Sequence, residues 1–358
     1  PDIRVEEARR DGLNAVAITE HLEWQPHLDD IPHPDRNRAY EIANAKSEQA
    51  AVMVIPGAEI TRGIDIEHLN AVFIKDANKL MTPGKTSARN GDEFGERFRG
   101  GDEAGLKEAR TILEEANNQG AFVFINHPTW TGINSDGRAH FSAFHAAAIK
   151  DKLIQGIEVG NGGSYSEDAF RIALDNNLAI LGTSDIHGLV AWDYADENEP
   201  LVPGGRGART TTLIITKSAT LDGIRTALFN KRTVAAVSNQ LYGRQAELTA
   251  VLSNALSFSL EGPSKNYSGA TSVYNAIIVN KMPIPIVIRN ASGQYFGRHT
   301  STVFIGARDT VKIQISALDK PDELITLEVD IMNAYTAPEK VLHMMIPRSS
   351  PESAMKAK

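Results

Sequence analysis

Four apolar runs in this chain each lead into a side chain able to bind a metal ion. Ala15-Val16-Ala17-Ile18-Thr19 runs into Glu20-His21, and Val52-Met53-Val54-Ile55 passes through Pro56-Gly57 to Glu59. Phe122-Val123-Phe124-Ile125 runs into Asn126-His127, and Leu178-Ala179-Ile180-Leu181 passes through Gly182 to Asp185 and His187. Imidazoles and carboxylates delivered repeatedly to one rim make a hard-to-borderline metal site. A packed core alone has no need of them. Metal ions held in this way acidify a bound water and polarise a substrate oxygen.

Each position also has a plainer explanation. His21 can equally be a neutral capping histidine. Glu59 is sharper, because a carboxylate just beyond Val-Ile-Pro-Gly-Ala is costly to bury unpaired. A metal or a cation is its expected partner. His68 opens the run Leu69-Asn70-Ala71-Val72-Phe73-Ile74 and is a weak candidate alone. His127 closes an apolar run, and Pro128 stops that strand. Asp185 and His187 are two residues apart, which puts both side chains on one side of an extended segment. That pair is the strongest local signal. Glu158 is expected either to orient a ligand histidine or to sit in a buried salt bridge. Glu20 is intermediate. Arg62 and Arg209 are candidate bidentate clamps for a phosphate, with surface arginine as the alternative. The glycine-rich Gly204-Gly205-Arg206-Gly207 fits neither phosphate-loop nor dinucleotide spacing. His27, His33, His140 and His145 read as surface or substrate-edge residues, and His299 and His343 as structural.

The elements that must position these groups alternate. Helices are expected from Asp2, as N-cap, to Gly12, over 36–51, over 102–118, over 166–177 with Ser166 as cap, and from Thr220 to about Lys231-Arg232. Strands are expected at 15–19, 52–55, 69–74, 122–125, 156–160, 178–182 and 211–216. Short buried strands between helices read as parallel, and such barrels place their active sites at the strand carboxyl ends. Segments 76–103 and 188–209 read as loops over that rim. After about residue 240 the pattern turns to short β-rich runs, beginning with Leu248–Leu260, separated by Asn, Gly, Ser, Pro and Asp. No helix is expected among them, which predicts an all-β sandwich-like domain. The expected domains are 1–240 and 245–347.

Composition bounds the rest. The 358 residues are 42% hydrophobic and 23% charged, with a net charge of -8. An acidic balance does not favour a nucleic-acid surface. There are no cysteines, so thiolate ligands, disulfides and a cysteine nucleophile are excluded. No stretch is long and apolar enough to span a membrane, and no signal peptide is present in this chain.

Ile18-Thr19-Glu20-His21, Gly57-Ala58-Glu59-Ile60, His68, Asn126-His127-Pro128 and Ser184-Asp185-Ile186-His187 follow the order found in the PHP (polymerase and histidinol phosphatase) superfamily. The resemblance covers about residues 1–235. It implies a distorted (β/α)7 TIM-like barrel holding up to three divalent metals, such as Zn, Mn or Fe. It also implies hydrolysis of a phosphomonoester or phosphodiester, with a small phosphorylated molecule as substrate. Carried over by motif, the metal ligands are His21, Glu59, His68, His127, Asp185 and His187. Glu59 is the bridging carboxylate, and Glu59, Asp185 and His187 form the catalytic centre. The family opens on a His-x-His strand followed by a Ser-Asp-Gly-like turn, so such a strand is expected upstream of Pro1. The β domain resembles the carboxyl-terminal addition of bacterial two-domain PHP proteins, which suggests by analogy a periplasmic or secreted location. Two alternatives stand beside the phosphoesterase: an amidohydrolase-like metal hydrolase, and a degenerate module that binds metal or carbohydrate without catalysis.

Overall fold

The computed structural model describes residues 1–25, 35–98, 101–190, 209–263, 271–297, 301–318 and 325–349. These fall into two compact units, one of 1–190 with 209–235 and one of 236–349.

The first unit is mixed α/β. Its main sheet contains β1 (Ala15–Ile18), β2 (Met53–Thr61), β3 (His68–Val72), β4 (Phe122–Ile125), β5 (Gly156–Asn161), β6 (Ser164–Tyr165) and β7 (Ala179–Thr183). The order is β1-β2-β3-β4-β5-β7, with β6 beside β5. The β1–β2, β4–β5 and β5–β7 pairs are parallel. β3, however, is antiparallel to both neighbours, which corrects the all-parallel expectation. The physical reason lies in the six-residue link 62–67. A parallel crossover needs about a dozen residues or more, so this link can only close a hairpin. Among the described residues no pairing returns from β7 to β1, and the sheet is an open mixed one. β8 (Thr211–Ile214) and β9 (Thr233–Val237) pair with each other. β8 meets β7 where Thr212 Oγ1 accepts from the Gly182 N–H and donates to its carbonyl.

The helices of this unit are α1 (Asp2–Arg10), α2 (Arg38–Asn44), α3 (Ser47–Ala50), α4 (Gly91–Phe98), α5 (Glu103–Asn118), α6 (Ala143–Lys150), α7 (Glu167–Asp175) and α8 (Leu221–Phe229). Side chains of Ser166 and Thr220 cap α7 and α8 as expected, and Asp102 caps α5. Pro1, not Asp2, occupies the N-cap of α1. The helix expected over 36–51 is two short ones, and α4 lies in a segment expected to be loop. Val5, Ala8, Ala43 and Ala50 from α1–α3 pack on Ile18, Val52 and Val54. Ile224 and Leu228 of α8 pack in a second cluster with Ile55, Val72, Phe122, Phe124, Ala179 and Leu181. At Gly57 a Cβ would come within 2.8 Å of the Thr19 methyl and 3.1 Å of the Ala71 carbonyl. Glycine there lets β1 and β3 close in on β2, two residues before Glu59.

The second unit is β-rich, with one exception to expectation. Residues of the expected first strand form a helix, α9 (Gln245–Ala255), before β11 (Leu256–Glu261) begins, β10 (Gln240–Tyr242) preceding both. Leu248 and Leu252 sit four apart and are both buried, a helical spacing hidden inside an apolar run. β11 pairs antiparallel with β12 (Thr271–Asn280), and β12 with β16 (Thr310–Leu318), which also carries β14 (Tyr295–Gly297). A second group runs β15 (Thr302–Ile305), β13 (Ile286–Asn290), β17 (Leu327–Ala337), with β18 (Lys340–Ile346) antiparallel to β17 and β10 parallel to it. Alternate residues are buried, as in Leu327, Val329 and Ile331 or Leu342, Met344 and Ile346. Among the described residues no helix is long and apolar enough to cross a membrane.

Candidate metal centre

Strand register brings the donors together. The β1–β2 ladder continues one step past β1, where the Glu59 N–H donates to the Glu20 carbonyl and the Leu22 N–H to the Glu59 carbonyl. His21 therefore lies beside Glu59. In the β2–β3 hairpin Thr61 stands opposite His68 and Glu59 opposite Asn70. Glu59 and His68 are diagonal neighbours on one face, within reach of long side chains. β3 likewise carries β4 one residue further, the Asn126 N–H donating to the His68 carbonyl, and this delivers His127.

The result is one carboxylate oxygen ringed by three imidazoles. Glu59 Oε1 lies 2.7 Å from His68 Nδ1, 3.5 Å from His21 Nδ1 and 3.6 Å from His127 Nε2. His68 Nδ1 and His127 Nε2 are themselves 3.1 Å apart. Donor atoms of His21, Glu59 and His68 all lie within 4.8 Å of one another. Three nitrogens and a buried carboxylate converging in this way match the donor set of a borderline divalent cation. Burial alone would push the Glu59 carboxyl up. Hydrogen bonds from His127 and His68 and the charge of His21 override it and hold Glu59 well below the usual carboxylate range. Burial lowers His68 and opposes protonation of His127, but Glu59 and Glu158 prevail at His127 and raise it to about 9. The same contacts thus favour the anionic form of Glu59 and the protonated form of His127.

Asp185 and His187 follow β7, but not in the extended geometry expected. Asp185 adopts φ 47°, and His127 adopts φ 22°. Both are left-handed values that cost a non-glycine residue energy and cluster at functional sites. The turn sends Asp185 inward and His187 outward. Asp185 Oδ2 lies 3.4 Å from Asn161 Nδ2, and its charge acts on His127. The His187 side chain is 71% exposed, 3.8 Å from Asp185 Oδ1, with its ring centroid 6.0 Å from that of His21.

The two arginines expected to clamp a phosphate are committed elsewhere. Arg62 is buried, 3.1 Å from both Glu23 Oε1 and Glu108 Oε1, with its guanidinium over Phe98. Arg209 is buried with Nε 2.9 Å from Asp11 Oδ2. Sequence supplies the charge type but not the carboxylates that fold onto it. His145, expected at the surface, is fully buried in α6. Its Nδ1 accepts from the Ser142 N–H and its Nε2 donates to the Ile66 carbonyl, so it is a neutral structural group. His140 is exposed beside Asp136, and His343 on β18 lies between Asp330 and Glu328. His27, His33, His299 and the Gly204–Gly207 loop lie outside the described residues.

Supporting residues make up the rest of the centre. Glu158 accepts hydrogen bonds from the His127 N–H at 2.6 Å, from Asn161 and from the Thr183 hydroxyl. It therefore grips His127 by its main chain, and not by its ring. Burial pushes Glu158 up to about 7. Thr61 Oγ1 sits 2.7 Å from His21 Nδ1, and the Thr61 N–H donates to Glu23 Oε2. Trp130, 49% exposed, stands over the cluster, with centroids 5.2 Å from His68 and 5.4 Å from His127. Thr61, Asn161 and Trp130 were not singled out from sequence. Thr61 had a signal, because it shares a strand face with Glu59, and so did Trp130, three residues beyond His127.

Known proteins place this arrangement in context. Residues 260–347 match an Ig-like domain family, DUF5001. A two-domain protein from Bacteroides vulgatus ATCC 8482, containing a predicted PHP-like metal-dependent phosphoesterase, is 29% identical. The similarity covers 97% of this chain and 89% of that one, with a TM-score of 0.76. An inferred metal-dependent phosphoesterase from Bifidobacterium adolescentis ATCC 15703 is 19% identical over 51% of this chain and 81% of its own, and its TM-score of 0.36 carries no argument. No functionally curated protein matches the chain.

Proposed function

Taking this chain as a two-domain relative of PHP-like proteins, we propose that it is a metal-dependent phosphoesterase hydrolysing a small phosphomonoester or phosphodiester. The observation that carries this is the buried Glu59 oxygen within 2.7–3.6 Å of three histidine nitrogens. His21, Glu59, His68, His127 and Asp185 would hold the cation, with Glu59 placed to bridge if more than one binds. A bound divalent ion would supply Lewis-acid charge at the phosphoryl group and an acidified water. The protein's own part is positioning. Thr61 holds the His21 ring, Glu158 fixes the backbone of His127, and the strained turn at Asp185 aims its carboxylate inward. Hydrogen bonds of this kind fix ring orientation and keep ligands basic.

Arg62 and Arg209 are engaged in buried ion pairs, so in this reading the charge that meets the phosphoryl group comes from the metal. His187, exposed beside this group, is free to touch the leaving oxygen. The test is metal content together with turnover of aryl phosphomonoesters and phosphodiesters after loading with Zn or Mn. Stoichiometric metal with turnover that chelation abolishes is the expected result. Full metal loading with no turnover of either ester class, but hydrolysis of amides, would transfer the site to the amidohydrolase-like alternative.

A further inference from the structure

The cluster is overlooked by one large side chain that neither coordination nor core packing requires. Trp130 lies on the turn after β4 and leaves half of its indole in solvent. Single exposed aromatics are ordinary. This one is held in place from several directions. Its main-chain N–H donates to the His127 carbonyl at 2.9 Å, and its main-chain carbonyl accepts from the Ile133 N–H at 3.0 Å and the Asn134 N–H at 2.9 Å, which fixes the turn that carries the ring. The Asn134 side chain then ties the turn down, donating to Glu67 Oε1 and to the Pro128 carbonyl, both at 2.8 Å. The ring itself packs against Gly132, where a Cβ would fall 2.4 Å from an indole carbon. Glycine at 132 is what allows the indole to fold back beside the two imidazoles.

An apolar surface fixed in this way and left open beside a reactive centre is a preorganised wall. Its conformational entropy is already lost before anything binds, so a partner gains the full contact. Resting on the phosphoesterase reading, we propose that Trp130 determines substrate specificity by stacking a flat aromatic ring of the leaving group, an aryl group or a nucleobase. A phosphoryl group seated at Glu59, His68 and His127 would direct its ester substituent across the indole, which stands within 5.4 Å of both rings. The open indole face has an electron-rich π surface that pairs with another ring in offset or edge-to-face geometry. A short alkyl ester would leave it wet.

The experiment uses two non-hydrolysable probes with the same phosphonate head, phenylphosphonate and methylphosphonate. Their affinities are measured by calorimetry on the metal-loaded full chain. Wild-type protein should prefer the phenyl probe by about tenfold, the scale of one base–aromatic stack. Trp130→Leu should abolish most of that preference, read as the ratio of the two affinities, with metal content measured alongside to report an intact centre. Trp130→Phe should keep most of it. Gly132→Ala retains Trp130 but displaces the ring, and should lower the preference as well. Equal affinity of wild-type protein for both probes, or an undiminished preference in Trp130→Leu, overturns the role of Trp130 and leaves the phosphoesterase reading standing. Failure of metal-loaded wild-type protein to bind either phosphonate overturns that reading, and this proposal with it.

Discussion

The two units of this chain treat buried charge in opposite ways. In the α/β unit Glu7, Glu23, Glu59, Arg62, Glu67, His68, His145, Glu158 and Arg209 are all buried. In the β unit the buried polar side chains of the described residues are Ser259, Asn280, Gln294 and Thr336, none of them charged. Charged side chains of this unit gather at its surface, as in the array of Arg289, Asp330, His343 and Glu328. Buried charge is costly unless paired, so a fold that accumulates it in one unit has a use for it there. The β unit is built on regular alternation, whereas the α/β unit buries charge in ion pairs and around the Glu59 carboxylate.

The largest effect that would break this contrast is at the centre itself. Glu59→Gln removes the charge that three histidines share. It should cost metal binding outright and turnover by on the order of 10³-fold or more. Metal-free Glu59→Gln should also unfold more easily than metal-free wild type, because the ionised carboxylate is stabilised by the histidines that donate to it and its loss leaves them buried without that partner. Metal analysis, turnover and melting curves check the two halves separately. Retained metal at full turnover would remove Glu59 from the site.

Arg62→Met comes next. It strands Glu23 and Glu108, and breaking a buried pair typically costs about 3–5 kcal/mol. Denaturant unfolding should show that loss, and adding Glu23→Gln should recover much of it. If Arg62→Met is as stable as wild type but loses phosphonate affinity, Arg62 binds substrate after all.

In the β unit the corresponding cost is set by volume alone. Ile331→Val, at a fully buried position on β17, should cost about 0.5–1.5 kcal/mol. Metal content and turnover should not change. A loss of metal in this variant would show that the units share more than a chain.

The smallest effect is expected on the β surface. Hydrogen bonds from its ring to the Asp330 carboxylate, and then to Glu328, raise the pKa of His343 above its ordinary value. The folded state therefore gains from protonation. That gain is complete below about pH 6.5 and is lost as pH rises through the folded value. The melting temperature of His343→Gln should fall slightly below wild type at acidic pH and match it at alkaline pH. An equal difference at both would assign His343 to packing.

Sequence shows the α/β unit's rim well and its wiring poorly. The apolar runs ending at His21, Glu59 and His127 mark the strand ends that meet around the Glu59 carboxylate, because a buried strand followed by a polar donor is a local pattern. The β2–β3 hairpin was hidden because the strand expected at 52–55 runs on to Thr61, which shortens the expected 56–68 connection to six residues. Arg62, Arg209 and His145 could not be placed, since their partners Glu108, Asp11 and Ile66 are distant in sequence or carry no signal of contact. α9 was missed because Leu248 and Leu252 belong to an apolar run that periodicity alone cannot assign.

That hairpin has a consequence in folding time. Glu59 and His68 are nine residues apart in sequence, and a hairpin of this size closes in about 1–10 μs. His21, His127 and Asp185 must instead be brought in across long stretches of chain, which is slower. The earliest piece of sheet to form thus carries a carboxylate and an imidazole already opposed. A cation present while the chain folds would meet two of the five proposed donors before the fold is complete, and could draw the later strands in.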